Sequence, residues 1–233
     1  MYTVGGEKKL VVDTRRQWGE MLDKKYPLSD VDVRSYIPRS GMGYAMNDKL
    51  VDVFSANPFA DRIYLRPHRK GETTSSGLDL SRLQMSMIKN PVIQAAVKGK
   101  RIGLKDDSMV RLNNSKAQAQ SLFEAGAESV FFQIAAPPIR YPCFTGMDHS
   151  QRKTLAAARY DTIKDANDGV SAQIAEHCGV SGTRVGVGFL SLEEMLEPLG
   201  GMCRGRCGSC TACFTGDYPF DIPASLKDNM KLE

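Results

Sequence analysis

Apolar side chains recur at helical spacing in residues 7–25, where Leu10, Val11, Trp18, Met21 and Leu22 stand among charges, and this pattern predicts an amphipathic helix. Residues 31–37 read as a strand that ends at Pro38. Arg39-Ser40-Gly41-Met42-Gly43 reads as a tight turn with a helix running on through Leu50, and Ile63-Tyr64-Leu65 as a short strand. Residues 68–78 carry Gly, Thr and Ser without periodicity and read as a loop; residues 91–97 read as a short helix or turn. The clearest unit follows: strand 100–104, a loop opening on Asp106-Asp107-Ser108, helix 115–125 stopped by Gly126, and strand 129–135. Strand, loop, helix, strand predicts a βαβ unit and a parallel sheet. Residues 150–178 read as helical up to Gly179, and residues 185–190 as a further strand. Ser191 caps the short helix 192–196 with Glu194 placed for a capping box.

The reading is an α/β fold, a mainly parallel twisted sheet flanked by helices over residues 1–199, with a cysteine-rich tail, residues 200–233, packed on it. Bulk numbers fit: 233 residues with 42% apolar and 25% charged side chains can bury a sizeable core. The formal charge of +4 fits a binder of small phosphorylated anions as easily as a neutral surface, and is too small to argue for nucleic acid. No run of eighteen apolar residues and no signal peptide is found, so neither membrane insertion nor export is expected, and the predicted location is cytoplasmic.

Asp106 and Asp107 fall where a parallel strand ends, the place where open α/β sheets bind ligands. Two adjacent carboxylates there accept hydrogen bonds from the hydroxyls of a ribose or hold Mg²⁺ beside a diphosphate. The loop 111–115 then opens a helix whose unpaired N–H groups suit a phosphate. Taken alone, such a pair is more often a plain turn with capping aspartates.

Four of the six cysteines, Cys203, Cys207, Cys210 and Cys213, crowd together at ligand spacing. In a reducing compartment that cluster reads as a metal or Fe–S centre before disulfides, with zinc an open alternative.

The stretch Lys98-Gly99-Lys100-Arg101-Ile102-Gly103-Leu104-Lys105-Asp106-Asp107-Ser108-Met109-Val110-Arg111 resembles the phosphoribosyl-diphosphate motif of the amidophosphoribosyltransferase family, a type I phosphoribosyltransferase fold. Pro137-Pro138-Ile139-Arg140-Tyr141-Pro142-Cys143-Phe144-Thr145-Gly146-Met147-Asp148 is similar to the family's segment after the next strand. So are Phe189-Leu190-Ser191-Leu192-Glu193 and Cys210-Thr211-Ala212-Cys213-Phe214-Thr215-Gly216-Asp217-Tyr218-Pro219. The resemblance implies that Asp106 and Asp107 hold the ribose hydroxyls. It puts Ser108, Arg111, Asn113, Asn114 and Ser115 on the 5′-phosphate, and Arg39, Ser40 and Gly41 against the diphosphate with Arg62 closing over it. It further implies a [4Fe–4S] cluster on Cys143, Cys210 and Cys213, with Cys207 or Cys203 as fourth ligand.

The sequence departs from the family in three loops. Leu112-Asn113-Asn114 stands where the family has Gly-Thr-Thr, and Leu112 brings a Cβ where glycine lets backbone approach a phosphate. Arg39-Ser40-Gly41 replaces Asp-Ser-Gly and runs almost directly into Gly43-Tyr44-Ala45. Residues 56–63 keep only Asn57 and Arg62 of the family's flexible loop. The reading expects no glutaminase half in this chain, so glutamine-derived ammonia would come from a separate subunit of an oligomer or larger complex. Two functions follow: a synthase subunit that transfers ammonia to C1 of phosphoribosyl diphosphate with Mg²⁺, as in purine biosynthesis, or a catalytically degenerate Fe–S-carrying subunit with a structural, regulatory or redox role. Transfer to another nucleophile is a weaker third.

Overall fold

The computed structural model describes residues 2–4, 7–46, 90–200 and 210–232. A short antiparallel hairpin opens the chain, β1 (Tyr2–Val4) against β2 (Glu7–Lys9), and α1 (Val11–Lys25) follows it. The helix predicted over residues 7–25 therefore loses its first turn to a strand, because Glu7, Lys8 and Lys9 pair with Val4, Thr3 and Tyr2. Next come β3 (Val33–Tyr36), the one-turn helix α2 (Gln94–Val97), β4 (Arg101–Asp106), α3 (Asn113–Glu124) and β5 (Ser129–Ile134). The chain continues through α4 (Ile163–Cys178), β6 (Val185–Phe189), α5 (Leu192–Leu196) and α6 (Ala212–Thr215). Where a helix through Leu50 was expected, the described part is a single 3₁₀ turn, Met42–Tyr44. The predicted strand 63–65, the loop 68–78 and Arg62 lie outside the described residues.

Strands β3, β4, β5 and β6 form one parallel sheet in chain order, with Ile102 opposite Val33 and Val130, and Phe132 opposite Val187. The crossovers from β4 to β5 and from β5 to β6 each return to the neighbouring strand, and right-handed connections then put α3 and α4 on the same face. There Ile102, Leu104, Phe132, Ile134, Val187 and Phe189 pack against Leu122, Val170 and Ile174 in the main core. Helix α1 covers the opposite face. Its Trp18 ring N–H donates to the Met195 carbonyl at 2.8 Å, and Lys25 pairs with Glu194 at 2.6 Å. Gly19 lets α1 press on the 3₁₀ turn: a Cβ at that position would stand 1.8 Å from the Tyr44 carbonyl oxygen.

The capping box at α5 forms as the spacing predicts, Ser191 and Glu194 each accepting the other's backbone N–H. The helix expected over residues 150–178 begins only at Ile163, where Thr162 accepts from the Asp165 N–H. Apolar residues upstream are recruited elsewhere. Ala156 N–H donates to the Val110 carbonyl at 2.8 Å, and Leu155 and Ala158 pack on Ile139. Residues 210–232 lie against this same region, through Cys213, Phe214 and Leu232 and through the Tyr218 hydroxyl, which donates to the Pro142 carbonyl at 2.6 Å. No helix among the described residues is long and apolar enough to cross a membrane.

Candidate functional site

Parallel pairing brings the C-terminal ends of β3, β4 and β5 to one rim. Pairing runs one step past the strands, with Ala135 and Ala136 N–H donating to the carbonyls of Asp106 and Asp107 at 3.1 and 2.8 Å. Asp106 is buried at the strand end. Its Oδ1 accepts from the Ser40 hydroxyl at 2.5 Å and from the Asp107 N–H at 2.9 Å. Asp107 is half-buried and accepts from the Ser108 hydroxyl at 3.2 Å. Four of the residues singled out in the sequence, Ser40, Asp106, Asp107 and Ser108, are thus one hydrogen-bonded chain.

Burial pushes the Asp106 carboxyl up from an ordinary 3.8 to about 7; the Asp107 charge adds to the rise, and the two hydrogen bonds oppose it. Native Asp106 keeps its proton up to about 7 while the unfolded chain releases it near 3.8. Folding therefore takes up a proton between those values, and stability falls as pH rises through that window. Asp106→Asn, which keeps both acceptor contacts and cannot ionise, is expected to flatten this fall. Urea denaturation of the two proteins from about pH 4 to pH 8 measures it; an unchanged slope would refute the assignment.

The phosphate-loop residues divide. Leu112 adopts φ 61°, the left-handed conformation that the family fills with glycine, and its side chain is buried in the main core. That backbone costs about 1–2 kcal/mol for a leucine, and a buried leucine returns about 1.5–3 kcal/mol. The expectation that Leu112 obstructs the loop is thereby corrected in part: its bulk points into the core. Asn113 and Asn114 are exposed at the open first turn of α3, and Ser115 is buried. Arg111 is drawn toward the segment beyond β5, its Nε donating to Thr154 Oγ1 at 3.4 Å and its guanidinium 3.7 Å from Asp148. Arg39 is exposed at φ 69°, and Gly41 is buried against β4.

Two features escaped the sequence reading. Tyr44 is buried near the acidic pair: burial raises its hydroxyl to about 12, with Arg15 lowering and Asp107 and Asp106 raising it. The Gly43-Tyr44-Ala45 motif was its available signal. Behind Asp106, Lys105 is fully buried and pairs with Asp23 of α1 at 2.7 Å, while Gln133 of β5 donates to the Tyr26 carbonyl at 2.8 Å. A lysine and a glutamine inside apolar strands were the signal for that network.

Cys143, Cys178, Cys210 and Cys213 carry free thiols, and Cys203 and Cys207 lie outside the described residues. Burial, with the charges of Cys143 and Cys210 adding to it, pushes the Cys213 thiol up to about 11, so these three thiols sit within electrostatic reach of one another. Burial also acts to raise Cys143, but the Thr145 hydroxyl and the backbone N–H groups of Thr145, Met147 and Gly146 outweigh it and hold the thiol below its ordinary value. Among the described residues, no three His, Cys, Asp or Glu side chains are grouped so as to hold a metal ion.

No family model matches the chain. Curated relatives do. Amidophosphoribosyltransferases of Homo sapiens (31% identical over 234 residues), Synechococcus elongatus (31% over 220) and Drosophila melanogaster (30% over 233) cover 93%, 91% and 94% of this chain. The chain is a homologue of the C-terminal part of amidophosphoribosyltransferase. It spans only 38–43% of those relatives' length. Among solved structures, this amidophosphoribosyltransferase homologue is similar to the B. subtilis glutamine phosphoribosylpyrophosphate (PRPP) amidotransferase complexed with ADP and GMP. That match has 28% identity and a TM-score of 0.64, and covers 92% of this chain and 43% of the other. It is likewise similar to the structure described as the allosteric regulatory enzyme of purine biosynthesis, at 28% identity and TM-score 0.66, over 96% of this chain and 44% of that one.

Proposed function

We propose that this chain binds phosphoribosyl diphosphate at the strand end Asp106–Asp107 and is the synthase part of an amidophosphoribosyltransferase reaction. The supporting observation is the adjacent carboxylate pair at the end of a parallel strand, one loop away from the open N-terminus of α3. On this reading the acidic pair faces the ribose, and Ser108, Arg111, Asn113, Asn114 and Ser115 surround the 5′-phosphate. Arg39, Ser40, Gly41 and Arg62 belong to the diphosphate side. The C1–oxygen bond breaks with its electron pair leaving on diphosphate, ammonia forms the new C1–nitrogen bond, and the released proton goes to solvent. Mg²⁺ brought in with the substrate would neutralise the departing diphosphate. The protein's own share is orientation and charge placement more than proton transfer.

The proposed centre on Cys143, Cys210 and Cys213 is a [4Fe–4S] cluster completed by Cys203 or Cys207, with zinc as alternative. Its support is the shell of N–H groups around the Cys143 sulfur, since hydrogen bonds to thiolate favour its charged form and tune such clusters. The thiols fit in kind, although Cys143, Cys210 and Cys213 are not grouped as metal ligands in this structure, and the fourth donor falls outside the described residues. Anaerobically purified protein is expected to show a broad visible absorption with iron and acid-labile sulfide in equal amounts. Zinc without sulfide would replace the cluster assignment.

Isothermal titration of the full chain with phosphoribosyl diphosphate and Mg²⁺ is expected to give saturable binding, and ammonia-dependent release of diphosphate is expected to follow. Absence of binding at millimolar ligand would end the sugar-phosphate reading. Binding without turnover would favour the second reading, a structural, regulatory or redox subunit, which the altered loop at Arg39 supports. A separate glutaminase chain and assembly into an oligomer belong to the same proposal.

A further inference from the structure

Among the described residues, β6 is the outer strand of the parallel sheet, with β5 on its inner side. Its sequence, Val185-Gly186-Val187-Gly188-Phe189, holds no charge and no proline, the residues that commonly keep a sheet edge from pairing with another chain. Along a strand, the N–H and C=O groups of successive residues point to opposite sides. Leu190 N–H donates inward to the Ile134 carbonyl at 3.1 Å, so Phe189, Val187 and Val185 turn their backbone groups outward. At Phe189 both outward groups are taken by side chains. Its N–H donates to Asn167 Oδ1 at 3.1 Å, and its carbonyl accepts from the Tyr26 hydroxyl at 2.8 Å. Asn167 Nδ2 donates in turn to the Tyr26 oxygen at 3.1 Å, which closes a ring of three hydrogen bonds.

We infer that Asn167 and Tyr26 are an edge seal: they occupy the place of a further strand beside Phe189 and stop a second copy of this chain from pairing along β6. An asparagine side chain carries the donor and the acceptor of a peptide group, so it can replace a neighbouring backbone at this point. Gly188 lets the tyrosine reach it, because a Cβ there would stand 2.7 Å from the Tyr26 ring. The two side chains come from elements on opposite faces of the sheet. Tyr26 follows the last turn of α1, where Lys25 is tied to Glu194 at 2.6 Å, and Asn167 lies on α4, its carbonyl accepting from Ser171 Oγ at 2.6 Å. Beyond the seal, Val185 and Val187 line an open hollow of about 370 Å³. Two outward residues are a short edge, and shortness is itself a protection. With the seal gone the edge lengthens to Phe189. A twofold axis would then set the β6 of another copy antiparallel to it, an uncharged strand against its own like.

The test uses the full chain and three variants: Tyr26→Phe, which loses one oxygen atom, Asn167→Leu, and Ser171→Ala as a control that leaves the ring intact. In sedimentation velocity over a series of concentrations, Tyr26→Phe and Asn167→Leu are expected to shift to heavier species as concentration rises. The parent and Ser171→Ala should keep one sedimentation coefficient over the same series. In the heavier species the amides of Val187 and Phe189 are expected to exchange at least about tenfold more slowly than in the diluted variant. Variants that are folded by circular dichroism and sediment as the parent does overturn the inference. So does a heavier species whose Val187 and Phe189 amides exchange as they do on dilution, since association then uses another surface. If Asn167→Leu does not fold, Tyr26→Phe decides by the same criteria. If neither folds, the parent decides: its Phe189 amide is expected to exchange about three- to tenfold more slowly than that of Val187, the worth of one hydrogen bond, and equal rates remove the seal.

Discussion

Gly41→Ala is expected to lower the stability of the chain by more than about 3 kcal/mol and to abolish ligand binding at the strand end. The cause is space. Gly41 has φ −79°, which any residue adopts, but a Cβ there would stand 2.0 Å from the Lys105 carbonyl oxygen and 3.0 Å from the Ile37 nitrogen. All of these are backbone atoms, so no side chain can rotate away. Relief requires the turn to lift off β4, which breaks the Ile37-to-Lys105 and Gly41-to-Ile37 hydrogen bonds and carries Ser40 away from Asp106. A domain of ordinary stability holds only about 5–15 kcal/mol, and at roughly 2–4 °C per kcal/mol the melting temperature should fall by about 10 °C. Gly182→Ala is the control, because a Cβ there meets nothing within 4 Å and its backbone carries no positive φ; it should change stability by less than about 0.5 kcal/mol. A Gly41→Ala protein that melts with the parent would show that the turn does not sit against β4 as described.

The contrast between these glycines marks what the sequence could and could not tell. Elements whose pattern is local were readable: the β4–α3–β5 unit from its apolar runs and Gly126, the cap of α5 from Ser191 and Glu194, and the acidic pair from its place after a strand. Misread elements were decided by distant partners. Glu7, Lys8 and Lys9 leave the helical pattern because Tyr2, Thr3 and Val4 pair with them. Residues 150–162 look helical, yet Val110 captures the Ala156 N–H. Leu112 looks like an obstruction at a glycine position until the core that receives its side chain is known. At the site, adjacency gave the carboxylates but not their surroundings, since nothing near Asp106 in the chain shows that Ser40, sixty-six positions earlier, donates to its Oδ1. The family motifs supplied what periodicity could not, and the relatives' 91–94% coverage of this chain agrees with them.

The second large effect concerns the charge behind the site. Asp23→Ala is expected to cost about 3–5 kcal/mol, and Lys105→Met clearly less, although both remove the same ion pair. Lys105 is 1% exposed, and its ammonium meets Asp23 at 2.7 Å, whereas the Asp23 side chain keeps 29% of its surface in water. Deleting the carboxylate strips a fully buried ammonium of that partner, and it takes from Gln133 one of its acceptors as well. Deleting the ammonium instead leaves a carboxylate that solvent already reaches, and methionine fills the lysine's volume with apolar surface inside the sheet–helix layer. The double variant, Asp23→Ala with Lys105→Met, should therefore be more stable than Asp23→Ala alone, which is the reverse of additive damage. Urea denaturation of the three variants beside the parent reads the order directly. Equal losses in the two single variants, or a double variant worse than Asp23→Ala, would mean that the buried ammonium does not depend on Asp23. The pair joins the last turn of α1 to the strand that ends in Asp106 and Asp107, so Asp23→Ala should also loosen the seat of α1 on the 3₁₀ turn at Tyr44. Hydrogen exchange at the backbone of residues 42–45 is expected to quicken in that variant and to stay at the parent rate in Lys105→Met.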